Sequence, residues 1–372
     1  MRILPTRMCQ PGMRLAKPIF TEEGHVLVGH QVELTNSMLS KLSQLGVNYL
    51  YIEDSRTEDI LIEDPIHDQT RSLLRTSLGQ IFERFGATAG ISSNAQASDS
   101  MGRLFQEGMS RVIDDFNGHK NEAVMLAAIN LAAPNNMEKH FSQNAINVCI
   151  VATKLAIQEG SFTRDDLMTI GMGALLHDVG NVQIPKQILE KNAPLTSNEF
   201  MEVQKHAEYG FQLLRDTFGV PLVAAHCALQ HHERMNGSGY PFGLVGEQIH
   251  PYARWIGMLD SYDAMIHPRS YRNAMTPSHA LEVLYGNAGT LYDINMVKLF
   301  RNNVAIFPLG LSVTLSTGEK GIVSRINPSS MQRPVVRVLR DAAGLELRSP
   351  YEIDLSRTLN IIINEVGEQL LV

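Results

Sequence analysis

The sequence predicts a mainly α protein: a long helical region, preceded by a small α+β module and followed by a small β-rich domain. Three observations carry this expectation. From about Thr57 apolar residues such as Ile66, Leu73, Leu74, Leu78 and Ile81 recur at three- and four-residue steps, the spacing that lines one face of a helix. Ahead of that point the chain has short strand-like runs separated by turn residues. Beyond Pro308 the runs LSVTLSTGEKGIVSRI, RPVVRVLRD and LNIIINEV are rich in β-branched residues and broken by glycine and proline.

Four segments follow in order. Residues 1–56 read as an α+β module, with Thr21-Glu22-Glu23-Gly24 as a turn, a helix around Asn36 to Leu45, and VNYLYI as a closing strand. Residues 57–118 read as a helical connector in which the small and polar stretch Gly86 to Ser100 is flexible. Residues 119–305 form the helical domain, broken by turns at Ala133-Pro134-Asn135-Asn136, Asn192-Ala193-Pro194 and Asn236-Gly237-Ser238-Gly239. Thr163 with Asp166, and Thr196 with Glu199, have the spacing of capping boxes and mark two helix starts. Residues 306–372 are the β-rich domain, and no repeat period suggests a solenoid.

Composition narrows the function. With 44% apolar and 19% charged residues the chain has ordinary globular character, so disorder is only local. A net charge of −7 provides no global field for DNA or an anionic membrane, so an anionic substrate needs local positive charge. Cys9, Cys149 and Cys227 are too scattered for a disulfide framework or a thiolate zinc knuckle, which fits the cytoplasm. The opening residues lack the apolar core of a signal peptide, and the longest apolar run, Ala123 to Ala133, is short of the ~20 residues a spanning helix needs.

The chemical signal lies in the helical domain: His177-Asp178, His206, His231-His232 and Asp260, each separated from the next by about one helix plus a connector. Four helices of a bundle can each bring such donors to one interior site. Any one of these histidines alone reads as a satisfied core or surface residue; adjacent pairs at comparable intervals do not. Imidazole and carboxylate together suit Fe, Mn or Zn, and the absence of thiolates argues against a structural zinc. There are more donors than one ion takes, so a pair of ions bridged by Asp178 is expected. Such a pair activates a bridging water as hydroxide and clamps an in-line phosphoryl displacement, which points to hydrolysis of a phosphate ester.

The motifs HDVGNVQIP, ILEKNAPLTSNE, HAEYG, HHERMNGSGYP, ARWIGMLDSYDAM and PRSYR, in this order from about Asn136 to Phe300, resemble the HD-GYP family of cyclic di-GMP phosphodiesterases within the HD phosphohydrolases. The resemblance implies an HD-type helical bundle with two divalent metal ions, Fe or Mn first and Zn, Ni or Mg after them. These hydrolyse cyclic di-GMP to pGpG or GMP. It also implies that His177, Asp178, His206, His231, His232 and Asp260 are metal ligands, with His177 and Asp178 at the catalytic heart. Gly239, Tyr240 and Pro241 match the loop used for substrate or for a partner signalling protein, and a homodimer is compatible with the family.

Two positions depart from the pattern. Asn144 stands where the family has its first ligand histidine, with His140 one turn earlier as a compensating candidate, so one ion is expected to bind less tightly. Asn181 stands where the family has a lysine for the substrate phosphate, which weakens transition-state stabilisation by ~2 to 4 kcal/mol. Lys186, Lys191, Arg269 and Arg272 are the remaining candidates for phosphate contacts, against a reading as solvated charges. Asp263 could orient a ligand or cap locally, and His226 reads as a core histidine. Arg333 and Arg337 mimic an RxxxR receptor motif without its companion residues. Three functions therefore stay open: a cyclic di-GMP phosphodiesterase, a weak or inactive member that binds the dinucleotide or a partner as a regulator, and a phosphohydrolase for another nucleotide.

Overall fold

A computed structural model describes the chain except residues 21–25, 46, 48, 63, 65, 87–94, 119–123, 126–136, 192, 268–273 and 367–372. The chain divides into two compact units. One comprises Met1–Asp64, Ala123–Asn135 and Arg301–Val372; the other comprises Pro65–Glu122 and Asn136–Phe300.

The first unit holds all the described strands. β1 (Arg2–Pro5) pairs antiparallel with β4 (Tyr49–Ile52), and β2 (Ile19–Phe20) with β3 (Val26–Val28). Between them α1 (Asn36–Gln44) starts at Thr35, whose hydroxyl accepts from the Met38 amide and satisfies an orphan donor of the first turn. Leu4, Leu15, Leu34, Leu42, Leu50 and Ile52 are its buried core. β5 (Val124–Met125) pairs parallel with β6 (Val304–Ala305). The C-terminal segment is a five-stranded antiparallel sheet in the order β10-β9-β8-β7-β11, built from β7 (Ser312–Leu315), β8 (Lys320–Arg325), β9 (Val335–Arg340), β10 (Glu346–Asp354) and β11 (Ile363–Val366).

The segments read as separate N- and C-terminal modules share this unit. The Ile3 amide donates to the Gly310 carbonyl at 2.8 Å, and Ile3 bridges Leu311 in parallel at the head of β7. Ile3, Ile60, Ile62, Ile322 and Leu339 form a second buried cluster that draws on both ends of the chain. The two arginines of the RxxxR run are structural: Arg333 donates to the carbonyls of Leu355 and Ile361, and Arg337 pairs with Asp59 and Glu352.

The second unit is helical: α2 (Asp68–Gly86), α3 (Ala95–Asn117), α4 (Met137–Glu159), α5 (Arg164–Leu176), α6 (Lys186–Leu189), α7 (Ser197–Gln204), α8 (His206–Leu214), α9 (Leu222–Gln230), α10 (Pro251–Ile266), α11 (Pro277–Gly286) and α12 (Ile294–Asn303), the last crossing the unit boundary. A 3-10 turn, Val179–Gln183, follows α5. Both capping boxes form, Thr163 with Asp166 and Thr196 with Glu199. α3 begins at Ala95, inside the stretch read as a flexible connector, because Ala95, Gln96 and Ala97 sustain a helix despite their small, polar neighbours. The remainder of that stretch, 87–94, lies outside the described residues. Among the described residues no helix is long and apolar enough to cross a membrane.

α5 is the central element of this unit, buried from Ile170 to Leu176 and packed against α4 and α9. Its glycines permit this: a Cβ on Gly173 would lie 2.9 Å from the Cys227 sulfur of α9. Gly180 does the same for the turn after α5. A Cβ there would overlap the His206 carbonyl and lie 2.5 Å from the Gly210 amide. Gly180→Ala is therefore expected to push the turn off α8 and cost about 1 to 3 kcal/mol of stability, read as a lower denaturant midpoint in equilibrium unfolding.

Candidate metal centre

Three histidines are positioned by one local device. His177 lies just past α5, His206 just past α7, and His231 just past α9, where each preceding helix leaves backbone carbonyls without intrahelical donors. Each imidazole turns its Nδ1 to the carbonyl three residues back: His177 to Ala174 at 2.7 Å, His206 to Val203 at 2.7 Å, and His231 to Ala228 at 2.9 Å. A carbonyl only accepts, so Nδ1 carries the proton and Nε2 is left as the outward-facing base.

The three Nε2 atoms converge on Asp178. Its Oδ1 lies 3.3 Å from His206 Nε2 and 3.5 Å from His231 Nε2, while its Oδ2 lies 3.6 Å from His177 Nε2. On its other side His177 Nε2 is 3.7 Å from Asp260 Oδ1, carried by α10. Asp178, His206, His231 and His232 place one donor atom each within 4.8 Å of one another. The carboxylate thus faces two groups, with His206 and His231 at one oxygen and His177, itself beside Asp260, at the other.

This arrangement fits a cation. His206 Nε2 and His231 Nε2 are 3.3 Å apart. With both Nδ1 atoms spent on carbonyls, neutral rings would bring lone pair against lone pair. His177 Nε2 is buried with no hydrogen-bond partner. Such orphaned bases around a carboxylate are what a divalent ion satisfies, and the donor set, imidazole and carboxylate without thiolate, is that of first-row divalent metals.

Electrostatics without an ion give the same reading. Burial pushes the Asp178 carboxyl up, but His177, His231 and His206 outweigh it and hold it well below the ordinary value of 3.8. Burial lowers His177, yet Asp178 and Asp260 raise it to about 9. Burial lowers His206 and, together with its neighbours His231 and His206, holds His232 well below 6.5. His177 is thus the imidazole in which the two carboxylates favour a proton, while the shifts of His206 and His232 favour their neutral forms.

Asn144, on α4, turns its amide nitrogen to Asp260 Oδ1 at 3.2 Å and to Asp263 Oδ2 at 2.9 Å. Asp263 also accepts from Asn147 at 2.9 Å and lies 3.2 Å from His267. Asp263 therefore orients the carboxylate side of the centre through Asn144, and the imidazole it meets is that of His267, not one of the histidines around Asp178. Asn144 Oδ1 is buried without a hydrogen-bond partner and is the Asn144 atom left to meet a cation. His140 is half-buried on α4 and outside the group of four.

The remaining sequence candidates are placed as follows. Asn181 is buried and donates to the Asp178 carbonyl at 3.0 Å, so its amide holds the turn. Lys191 lies 2.6 Å from Glu199, so a phosphate contact would require breaking that ion pair. Lys186 is exposed, and His226 is half-buried against the Phe211 ring. Arg269 and Arg272 lie outside the described residues. Tyr240 stacks on His232 with ring centroids 4.6 Å apart, and Pro241 follows it through a cis peptide. Gly239 is required there, since a Cβ would collide with the backbone of His232 and Glu233.

Sequence reasoning missed Glu233. It is buried, and its two oxygens accept from the Phe242 amide at 2.8 Å and the Leu244 amide at 2.9 Å. The carboxylate pins the loop carrying Tyr240 to the end of the helix that carries His231 and His232. Its signal was its place immediately after that pair.

A profile described as an HD domain matches residues 127–296, and one described as a KOW domain associated with HD domain matches residues 312–369, the five-stranded sheet. A cyclic di-GMP phosphodiesterase of Pseudomonas aeruginosa is 32% identical over 62% of this chain and 55% of its own length. The cyclic di-GMP phosphodiesterase response regulator RpfG of Xanthomonas campestris pv. campestris is 39% identical over 39% of this chain and 37% of its own length. The chain thus spans about half the first relative's length and less of the second. Bd1817, an HDG"Y"P protein from Bdellovibrio bacteriovorus, shares the fold with a TM-score of 0.51 at 14% identity, over 80% of this chain and 97% of that one. The helical region therefore matches the HD domain, and the chain is similar to cyclic di-GMP phosphodiesterases and to an HDG"Y"P protein, with its His-Asp cluster set beside Gly239-Tyr240-Pro241.

Proposed function

We propose that this chain is a cyclic di-GMP phosphodiesterase whose centre holds two divalent ions, Fe or Mn, between His177, Asp178, His206, His231, His232 and Asp260. The observation that carries the reading is the placement of the Asp178 oxygens, one toward His206 and His231 and the other toward His177. A carboxylate so shared suits a bridge between two sites. When bound, the ions would neutralise the phosphodiester and make water a nucleophile near neutral pH.

The chain's own residues supply the rest. The Nδ1 bonds of His177, His206 and His231 fix their rings before substrate arrives, so little reorganisation is needed. Asn144 and Asp263 hold Asp260 in position. Tyr240, stacked on His232, offers a ring face at the edge of the centre for a base of the dinucleotide, held there by Glu233. pGpG or GMP would be the product. Three free, buried thiols support a reducing, cytoplasmic setting.

A second reading, a regulator that binds the dinucleotide without turnover, is favoured by Asn144 and Asn181, whose amide nitrogens are committed to protein oxygens. Purified protein assayed for bound metal and for cyclic di-GMP turnover separates the two. Turnover with two ions per chain supports the first reading, and tight binding without product supports the second.

Three outcomes are expected. Asp178→Ala removes the shared carboxylate and lowers turnover by about 10³-fold or more, with loss of bound metal in elemental analysis. Asn144→His provides an imidazole beside Asp260 and tightens retention of the weaker ion by about tenfold in competition with a chelator. Metal binding must displace the proton on His177, so apparent affinity rises as pH climbs from 6.5 toward about 9. In the metal-free protein the sign reverses: because the folded value is raised, the stability from that proton is complete below 6.5 and is lost as pH rises through about 9. Metal titrations and thermal melts across that range check both.

A further inference from the structure

A cavity of about 160 Å³ lies within the unit formed by the two ends of the chain, remote in sequence from the metal centre. Arg2, Arg56, Lys320 and Arg340 line it, and no acidic residue is among its lining side chains. Arg2 and Leu4 are two apart on β1, and Lys320 and Ile322 two apart on β8, so each strand presents one cation and one apolar side chain on the same face.

The cations are held close at a cost. Lys320 and Arg340 are direct cross-strand partners, and like charges opposite one another destabilise a sheet. Glu346 is 3.2 Å from Arg340 and 3.6 Å from Arg56, but its side chain is 61% exposed, which limits what it offsets. Asp54 is shared between Arg2 at 3.2 Å and Arg56 at 3.0 Å. It is Arg2 Nε itself that faces the Asp54 carboxylate, and desolvation lowers the Arg2 pKa despite that ion pair. A bound anion would relieve both the repulsion and the desolvation. One carboxylate brings a single charge, whereas a phosphomonoester is close to a dianion at neutral pH, with three acceptor oxygens that match guanidinium donors.

We propose that this cavity binds a small phosphomonoester, its phosphate among Arg2, Arg56, Lys320 and Arg340 and its uncharged body on Leu4 and Ile322. The site joins the N-terminal strand to the C-terminal sheet, so occupancy ties the two ends of the chain together.

Calorimetric titration of the full chain tests this, with chelator present so that no ion in the helical unit contributes phosphate affinity. The probes are phenyl phosphate, inorganic phosphate and benzoate. Phenyl phosphate is expected to bind most tightly, inorganic phosphate more weakly for want of the apolar contact, and benzoate least. Lys320→Gln with Arg340→Gln weakens phenyl phosphate binding by about tenfold or more, whereas Arg340→Lys, which keeps the charge, retains most of it. Absence of phenyl phosphate binding at millimolar concentration, equal binding of benzoate, or undiminished binding by the double variant would overturn the proposal. The three-probe comparison on the parent protein stands even if the double variant fails to fold.

Discussion

A single carboxylate, Asp178, sets the terms for the helical unit. Placing it where only 16% of its side chain remains exposed is costly unless positive charge or donors surround it. Three imidazoles from three helix ends meet that demand and are themselves buried to within a few per cent. Without an ion the balance is kept by a proton on His177; with one, the same geometry becomes a ligand set. Fold and chemistry share this requirement, because the contacts that bring α5, α8 and α9 together are those that bring the donors together.

The histidines serve two purposes at once. Helix C-termini need donors for their last carbonyls, and His177, His206 and His231 each provide one through Nδ1. This fixes the ring and tautomer without any dedicated partner side chain. Glycine does the complementary work. Gly180, Gly239 and Gly257 each stand where a Cβ would strike the backbone of His206, of His232 and Glu233, or of His231. Close backbone approach is thus concentrated around the clustered histidines, and a site of this kind tolerates little looseness.

The side chains that gather around Asp178 were legible as a group in the sequence because they sit in short, dense motifs. His177-Asp178, His231-His232 and the glycine-rich loop report local chemistry, and the capping boxes at Thr163 and Thr196 report helix starts whose hydrogen bonds span three residues. The part Asn144 plays was not legible. Its position suggested a weakened ligand; its amide nitrogen is used to hold Asp260 and Asp263, an arrangement that depends on α4 lying against α10. Glu233 was overlooked for a related reason, since its partners are backbone amides 9 and 11 residues on, reached only once the loop has folded back.

By itself the sequence determined the helical region, the β-rich end, and which nitrogen and oxygen donors are available, since periodicity, caps and adjacent His-Asp pairs act over a few residues. Tertiary structure alone decided that the two ends of the chain form one unit. The Ile3 bond to Gly310, the cluster of Ile3 with Ile322, and the cations drawn from β1, β8 and β9 link residues some three hundred positions apart. No local pattern encodes such a pairing, because it exists only when burial of both apolar faces offsets the entropy of closing that long loop.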